Sequence, residues 1–169
     1  MIDINRRLKN FGALEVLVIS SIIYVIVMLL WTASTRSEVL QKANDIKSNH
    51  KSVVDFINDE VNNCSSNEEG LTSWGEKCNS VWTSEKIVSY VLTNINLKNP
   101  YSINKPLIQT SQDPRIQAEG KAGQSTDKGI IFVSSNNFES VSGSEWVVGT
   151  CIKSPCVAAG NNELVSVYR

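Results

Sequence analysis

The sequence predicts an α+β fold in which one long N-terminal α-helix packs on a small antiparallel β-sheet. The first half of this helix is predicted to span a membrane and the second half to be amphipathic. Three observations predict this. About twenty apolar residues from Phe11 to Trp31 carry a single charge, that of Glu15. A helical repeat of apolar positions follows, with no glycine or proline before Cys64. Farther along, β-forming runs alternate with clusters of serine, asparagine and glycine.

The apolar segment is predicted to be a retained membrane anchor. Its length matches the roughly 20 residues that cross a hydrocarbon core, and Trp31 at its end suits a membrane interface. The apolar core of a cleaved secretory signal is shorter, about 7–15 residues, which argues against a signal peptide. Arg6, Arg7 and Lys9 precede the segment, so the positive-inside rule places the N-terminus in the cytoplasm and the residues from Thr32 onward outside.

The chain is predicted to have four segments. Residues 1–10 form a short basic cytoplasmic leader, 11–31 the transmembrane half of the long helix, 32–64 its amphipathic half, and 65–169 a globular head. The amphipathic half carries apolar residues every three or four positions, as expected for a helix that buries one face. These positions are Val39, Leu40, Ala43, Ile46, His50, Val53, Ile57, Val61 and Cys64.

The head is predicted to contain a loop, a short helix and a sheet. The helix covers 84–95, because its apolar residues share one face and Thr83 or Ser84 can cap it. Strands are predicted at 129–133, 145–152 and 163–168. The segments 108–110 and 116–118 are weaker candidates for a further hairpin.

All four cysteines lie after the anchor, which indicates an oxidising compartment and disulfide bonds. Three pairings exist, of which Cys64–Cys78 with Cys151–Cys156 is the simplest because it is local. The single histidine and the oxidising location argue against a metal site.

The net charge of −1 gives no bulk attraction for nucleic acid. No catalytic triad, paired-carboxylate motif or nucleotide fingerprint is present, so we expect neither an enzyme nor a cofactor.

His50 and three tryptophans are candidate functional residues for which a structural role is favoured. His50 lies on the apolar stripe without a second histidine or a cysteine at ligand spacing, which favours helix-to-sheet packing over metal binding or acid–base chemistry. Trp74, Trp82 and Trp146 are compatible with a carbohydrate or adhesion platform, but anchoring of the core and the loops is favoured.

The start of the long helix carries the most specific pattern in the chain. A basic residue, Lys9, is followed by Asn10, Phe11 and, four positions later, Glu15, after which the helix continues as Val-Leu-Val-Ile. Residues 9–25 thereby resemble the N-terminus of type IV pilins and pseudopilins. The resemblance implies that Phe11 is the first mature residue, that Glu15 is the fifth, and that both serve assembly. The leader-peptidase junction would lie between Asn10 and Phe11. Asn10 stands there in place of the family's glycine. Two alternatives therefore remain open: a chain that is cleaved and N-methylated at Phe11, and an uncleaved chain.

The resemblance also implies a pilin-like architecture, with a C-terminal cysteine pair such as Cys151 and Cys156 bracketing a loop. It implies that Glu15 pairs with the mature N-terminal amine, of its own chain or of a neighbour. In an uncleaved chain, the leader's basic residues would have to take that place. The alternative is that Glu15 lies near a helix start, favoured there by the helix dipole, with its carboxylate reaching the headgroup region.

The predicted function is that of a structural subunit of a type IV pilus-like extracellular filament serving adhesion, motility or DNA uptake. Its partners would be identical subunits in a helical homopolymer, the inner membrane before assembly, prepilin peptidase and the pilus assembly machinery. One alternative is a pseudopilin or minor pilin of a secretion or pilus machine. An alternative of another class is a single-span anchored periplasmic binding or sensor domain.

Overall fold

A computed structural model of the protein describes residues 12–95, 97–119, 128–136 and 145–169. The elements in chain order are α1 (Ala13–Ser66), α2 (Ser84–Asn94), β1 (Ile108–Thr110), α3 (Pro114–Glu119), β2 (Ile131–Asn136), β3 (Glu145–Cys151) and β4 (Asn162–Tyr168). The predicted α+β class, with a long N-terminal helix and a small sheet, is confirmed.

The long helix α1 has 54 residues and runs through two compact units, one ending at Gln41 and the other comprising Lys42–Arg169. Every described residue of the first unit is exposed. In the second unit α1 buries one face, which begins at Ala43 and ends at Cys64. Val39 and Leu40 were expected on this face, but they are 48% and 51% exposed. The buried stripe is therefore one turn shorter than its apolar periodicity predicts.

The sheet has the order β1-β2-β3-β4. The pairs β2–β3 and β3–β4 are antiparallel, as predicted, whereas β1 runs parallel to β2, with Ile108 opposite Ile131. The expectation of a wholly antiparallel sheet with a hairpin over 108–118 is therefore wrong. Residues 116–118 lie in helix α3 instead, and a connection that crosses over through a helix joins parallel strands.

The start of α3 carries a signal that the hairpin interpretation overlooked. The Asp113 carboxylate accepts hydrogen bonds from the backbone N–H groups of Arg115 (3.1 Å) and Ile116 (3.2 Å). Asp before Pro114 is an N-cap followed by proline at the first helical position, both favourable for a helix start. The helix packs closely on β3, because a Cβ added at Gly149 would lie 2.7 Å from the Pro114 carbonyl oxygen. Glycine at this strand position allows the contact.

The core of the head lies between the buried face of α1, helix α2 and one face of the sheet. Ile131 and Val133 of β2 and Val148 of β3 are fully buried on that face. Burying these branched side chains contributes roughly 1.5–3 kcal/mol each relative to exposure. The apolar face of α1 and the apolar face of the sheet therefore bury each other.

The head contains two disulfide bonds, one at the end of α1 and one at the end of β3. Cys64, in the last turns of α1, bonds to Cys78 with their Cα atoms 5.1 Å apart. Cys151, the last residue of β3, bonds to Cys156 with their Cα atoms 5.3 Å apart. The structure thus has the local pairing that the sequence favours among the three arrangements.

Candidate assembly surface

Residues 14–31 of α1 form the largest exposed apolar surface among the described residues, and we call it the anchor surface. Exposure of its large apolar side chains ranges from 44% at Ile19 to 78% at Leu14. By its length and composition, α1 is long and apolar enough to cross a membrane. A soluble monomer rarely exposes so large an apolar patch. Such a surface is typical of a helix that is surrounded by lipid or by other helices.

The two serine hydroxyls within the anchor surface are hydrogen-bonded to the backbone of their own helix. Ser20 Oγ donates to the Leu17 carbonyl at 2.9 Å, and Ser21 Oγ donates to the Val18 carbonyl at 2.8 Å. In hydrocarbon an unpaired polar group costs several kcal/mol. Because these two serines bond internally, they do not oppose burial of the helix in lipid or in a bundle.

Glu15 lies in the first turn of α1, where its carboxylate accepts a hydrogen bond from the Gly12 N–H at 3.0 Å. The backbone N–H of Glu15 donates in turn to the Gly12 carbonyl at 3.0 Å. Gly12 therefore acts as the N-cap, and Glu15 occupies the third helical position, as in a capping box. A carboxylate here is also favoured by the helix dipole. A glycine with glutamate three positions later is a signal from which the helix start is predictable.

The structure places Glu15 at the edge of the anchor surface, but its predicted assembly partner Phe11 lies outside the described residues. The same holds for Asn10, and hence for the leader-peptidase junction and the whole basic leader 1–10. Between Gly12 and Thr35, Glu15 is the only charged residue. Within the described part of the chain its carboxylate has the Gly12 N–H as its hydrogen-bond donor.

A second polar centre lies in the head, where His50 of α1 meets the sheet. Its Nε2 lies 3.2 Å from the Val148 carbonyl oxygen of β3, and its Nδ1 lies 3.1 Å from Glu163 Oε2 of β4. Lys47 Nζ approaches the other oxygen of Glu163 at 3.9 Å. The side chain of His50 is only 2% exposed. His50 thus links the long helix to two strands, and Glu163 is a partner that sequence spacing did not reveal.

The protonation state of His50 is set by two opposing effects. A neutral imidazole carries one N–H, whereas both neighbouring oxygens accept hydrogen bonds, so only the imidazolium donates to both. Burial nevertheless lowers the pKa of His50 below its ordinary value of 6.5, and the Val148 carbonyl and Glu163 offset this only in part. The neutral form therefore predominates at neutral pH.

We expect acid to destabilise the head through His50. Its pKa in the folded chain lies below that in the unfolded chain, so the unfolded chain binds more protons between the two values. Stability is therefore lost as the pH falls through about 6.5. The chain has one histidine, so an NMR titration of its ring protons reports this group alone. A measured pKa above 6.5 would show that Glu163 outweighs burial, and His50→Gln is expected to reduce the pH dependence of unfolding.

The three tryptophans that were candidates for a platform contact one another inside the head. Trp82 and Trp146 are 1% and 0% exposed, with ring centroids 5.3 Å apart. Trp74 meets Trp82 edge-on at 5.1 Å, and the Arg169 guanidinium lies 4.4 Å from the centre of the Trp82 ring. Trp82 and Trp146 anchor the core, and the half-buried Trp74 ring packs on Trp82 from the loop after α1.

In the part of the chain that the structure describes, no group of three or more His, Cys, Asp or Glu side chains is arranged to hold a metal ion. No protein-family model, no curated protein and no solved structure matches the chain. The candidate site is therefore the anchor surface with Glu15 at its edge, defined by its own chemistry and geometry.

Proposed function

We propose that the protein is a structural subunit of a type IV pilus-like extracellular filament. The observation that carries this proposal is the anchor surface, an apolar helix exposed around its whole circumference with one carboxylate in its first turn. A helix that is apolar all round is stable in lipid or surrounded by other helices. The same surface therefore suits both environments that a pilin helix occupies, the membrane before assembly and the filament core afterwards.

The single charge gives this helix a means of setting its register. A carboxylate among packed apolar helices is costly unless a positive group meets it. The Gly12 N–H supplies one hydrogen bond but no positive charge. In the proposed filament a mature N-terminal amine at Phe11 meets Glu15. If the leader is retained, Lys9 or the two arginines before it take that role.

The proposed assembly is helical and does not close. Each subunit contacts the next through different surfaces, which generates a filament of identical chains. Helices fill the filament core and the disulfide-closed heads lie outside. Before assembly the chain is held in the inner membrane as a single-pass protein with its N-terminus in the cytoplasm. Prepilin peptidase and the pilus assembly machinery are its partners there, and the proposed function requires no enzymatic activity.

Two other functions make use of the same anchor. The replacement of the family's glycine by Asn10 favours a minor, priming pilin or a pseudopilin, since an initiating subunit tolerates an unusual N-terminus better than a bulk subunit does. The compact unit Lys42–Arg169 with its two disulfides suits a single-span anchored binding or sensor domain. The sensor domain predicts a monomer whose activity does not depend on Glu15.

The test is mass spectrometry of the N-terminus in filaments sheared from the cell surface. We expect the chain in this fraction, starting either at methylated Phe11 or at Met1, and abundant relative to other filament proteins. A trace amount at filament tips would support a minor pilin instead. Recovery from the membrane fraction alone, with none in filaments, would overturn the filament proposal in favour of an anchored domain.

A further inference from the structure

Strand β4 forms the longer of the two edges of the sheet. The strand order is β1-β2-β3-β4, so β3 covers one side of β4, and among the described residues no strand lies on its other side. Strand β4 has 7 residues, whereas β1 at the opposite edge has 3. An uncovered edge strand presents a row of backbone N–H and C=O groups, and these groups can pair with a strand of another chain.

Strand β4 lacks the features that usually prevent such pairing. Its residues pair one to one with β3, so no β-bulge bends it, and its sequence contains neither proline nor lysine. Its one charged residue, Glu163, already contacts His50 and Lys47 of α1. The edge is partly apolar, since Val165 and Tyr168 are 36% and 67% exposed. A long, regular and partly apolar edge strand favours pairing with another strand.

The register of the sheet determines which backbone groups of β4 face outward. Just beyond β3, the Ile152 N–H donates to the Asn161 carbonyl at 2.7 Å, in the same register as the β3–β4 ladder. Hydrogen-bonded pairs alternate along an antiparallel ladder, so the odd-numbered residues of β4 bond to β3. The even-numbered residues therefore direct their N–H and C=O groups away from the sheet. They are Asn162, Leu164, Ser166 and Tyr168.

The backbone and the apolar side chains of β4 fit a second copy of the same strand in antiparallel orientation. When Ser166 lies opposite Ser166 of the second copy, Leu164 lies opposite Tyr168. These outward-facing residues form the hydrogen-bonded pairs of a new ladder. In the same register Val165 lies opposite Val167 of the second copy, on the face of the sheet that meets α1. The match therefore includes the backbone and both faces of the strand.

Charge selects this register among those that the backbone allows. Glu163 and Arg169 lie on the same face of β4, since successive side chains alternate between faces. With Ser166 on the two-fold axis, each Glu163 lies opposite Arg169 of the other copy, and directly opposed unlike charges stabilise paired strands. The Arg169 guanidinium donates to the Ser80 carbonyl at 3.3 Å and retains further N–H groups for a carboxylate. A register with the axis at the preceding residue would place Glu163 opposite Val167 and lose both ion pairs.

A groove beside β4 provides space for the second strand. It has a volume of about 590 Å³ and lies between β4 and the exposed side of α1, with Glu163 and Val165 in its lining. In the proposed register, the Arg169 and Val167 side chains of the second copy lie opposite these two residues. The groove therefore borders the side chains that the pairing brings together.

We propose that two copies of this chain pair through their β4 strands, antiparallel and about a two-fold axis at Ser166, and so join their two sheets into one. A two-fold contact closes on itself, whereas the contacts of the proposed filament are heterologous and open. The pairing is therefore separate from the anchor surface and goes beyond the proposed function. It links two heads whether or not the chains polymerise.

The test is disulfide cross-linking of the full chain in detergent micelles. The native cysteines are all disulfide-bonded, so an introduced cysteine is the only free thiol. In the proposed register Ser166 is the one residue that lies opposite its own copy. The Cα atoms of a hydrogen-bonded antiparallel pair are about 5.5 Å apart, a distance that a disulfide spans. We expect mild oxidation to convert Ser166→Cys into a covalent dimer on a non-reducing gel.

Val165→Cys is the matched control, because it introduces a thiol at the neighbouring and more exposed position. Random collision would cross-link this variant at least as well as Ser166→Cys, whereas the proposed register leaves it monomeric. Equal cross-linking of the two variants, or cross-linking of Val165→Cys alone, would overturn the register. No dimer of Ser166→Cys would overturn the interface.

A charge exchange tests the pairing of Glu163 with Arg169. In the Ser166→Cys chain, Glu163→Arg is expected to lower the yield of dimer at least about fivefold, because two arginines then face each other. Adding Arg169→Glu is expected to restore the yield, which a merely structural role of Glu163 would not explain. Failure to restore it, with unchanged circular dichroism, would overturn the pairing. All of these positions lie outside the anchor surface, so either result leaves the filament proposal intact.

Discussion

Glu15→Ala is expected to remove the protein from surface filaments. In the proposed filament Glu15 is a charge buried among apolar helices and paired with a positive group of its own or a neighbouring chain. Removing one partner of such a pair costs about 3–5 kcal/mol, since the other charge is left uncompensated. We therefore expect at least a roughly 100-fold loss of filament-incorporated protein. Immunoblots of sheared filaments and electron microscopy measure it, with the membrane fraction showing equal expression.

Glu15→Gln separates the charge of this residue from its role at the helix start. Glutamine at the third helical position serves a capping box as glutamate does, so the hydrogen bond from Gly12 is retained while the charge is lost. We expect glutamine to block filaments as completely as alanine does. Filaments at wild-type level that contain the Glu15→Gln chain would show that Glu15 only caps its helix. Unchanged circular dichroism of the head in both variants excludes unfolding as the cause.

Trp146→Ala is expected to destabilise the head by about 3–5 kcal/mol. The indole is fully buried on the core face of β3 and contacts Trp82 at a centroid distance of 5.3 Å. Alanine would leave a cavity beside the Trp82 ring that packed neighbours fill only in part. Chemical denaturation of the full chain in micelles, followed by circular dichroism, measures this loss as a lower midpoint. An unchanged midpoint would contradict the burial of this ring.

Trp146→Phe is the matched control for this prediction. Trp146 Nε1 is buried and has no hydrogen-bond partner among the described residues. Phenylalanine keeps most of the apolar volume and removes this unpaired donor, so its cost is expected to stay below about 1.5 kcal/mol. A loss as large as that of alanine would indicate that the indole N–H makes a bond that stabilises the fold.

Much of the head follows from local patterns. The long helix is predictable because its apolar period persists from Ala43 to Cys64 without a helix breaker, and the antiparallel strands because their β-forming runs are separated by turn residues. The prediction of a hairpin over 108–118 is wrong because a short apolar run does not distinguish a strand from a helix turn. Asp113 before Pro114 was the stronger signal, and it starts α3.

The sequence by itself determined the long apolar helix segment, the single charge near its start, the α+β class and the favoured local cysteine pairing. These features depend on composition and on the spacing of residues that are close together in the sequence. Only the tertiary structure decided that β1 runs parallel to β2 and that Glu163 of β4 contacts His50 of α1. These features join residues far apart in sequence, and their positions depend on how helices and strands pack rather than on any local period.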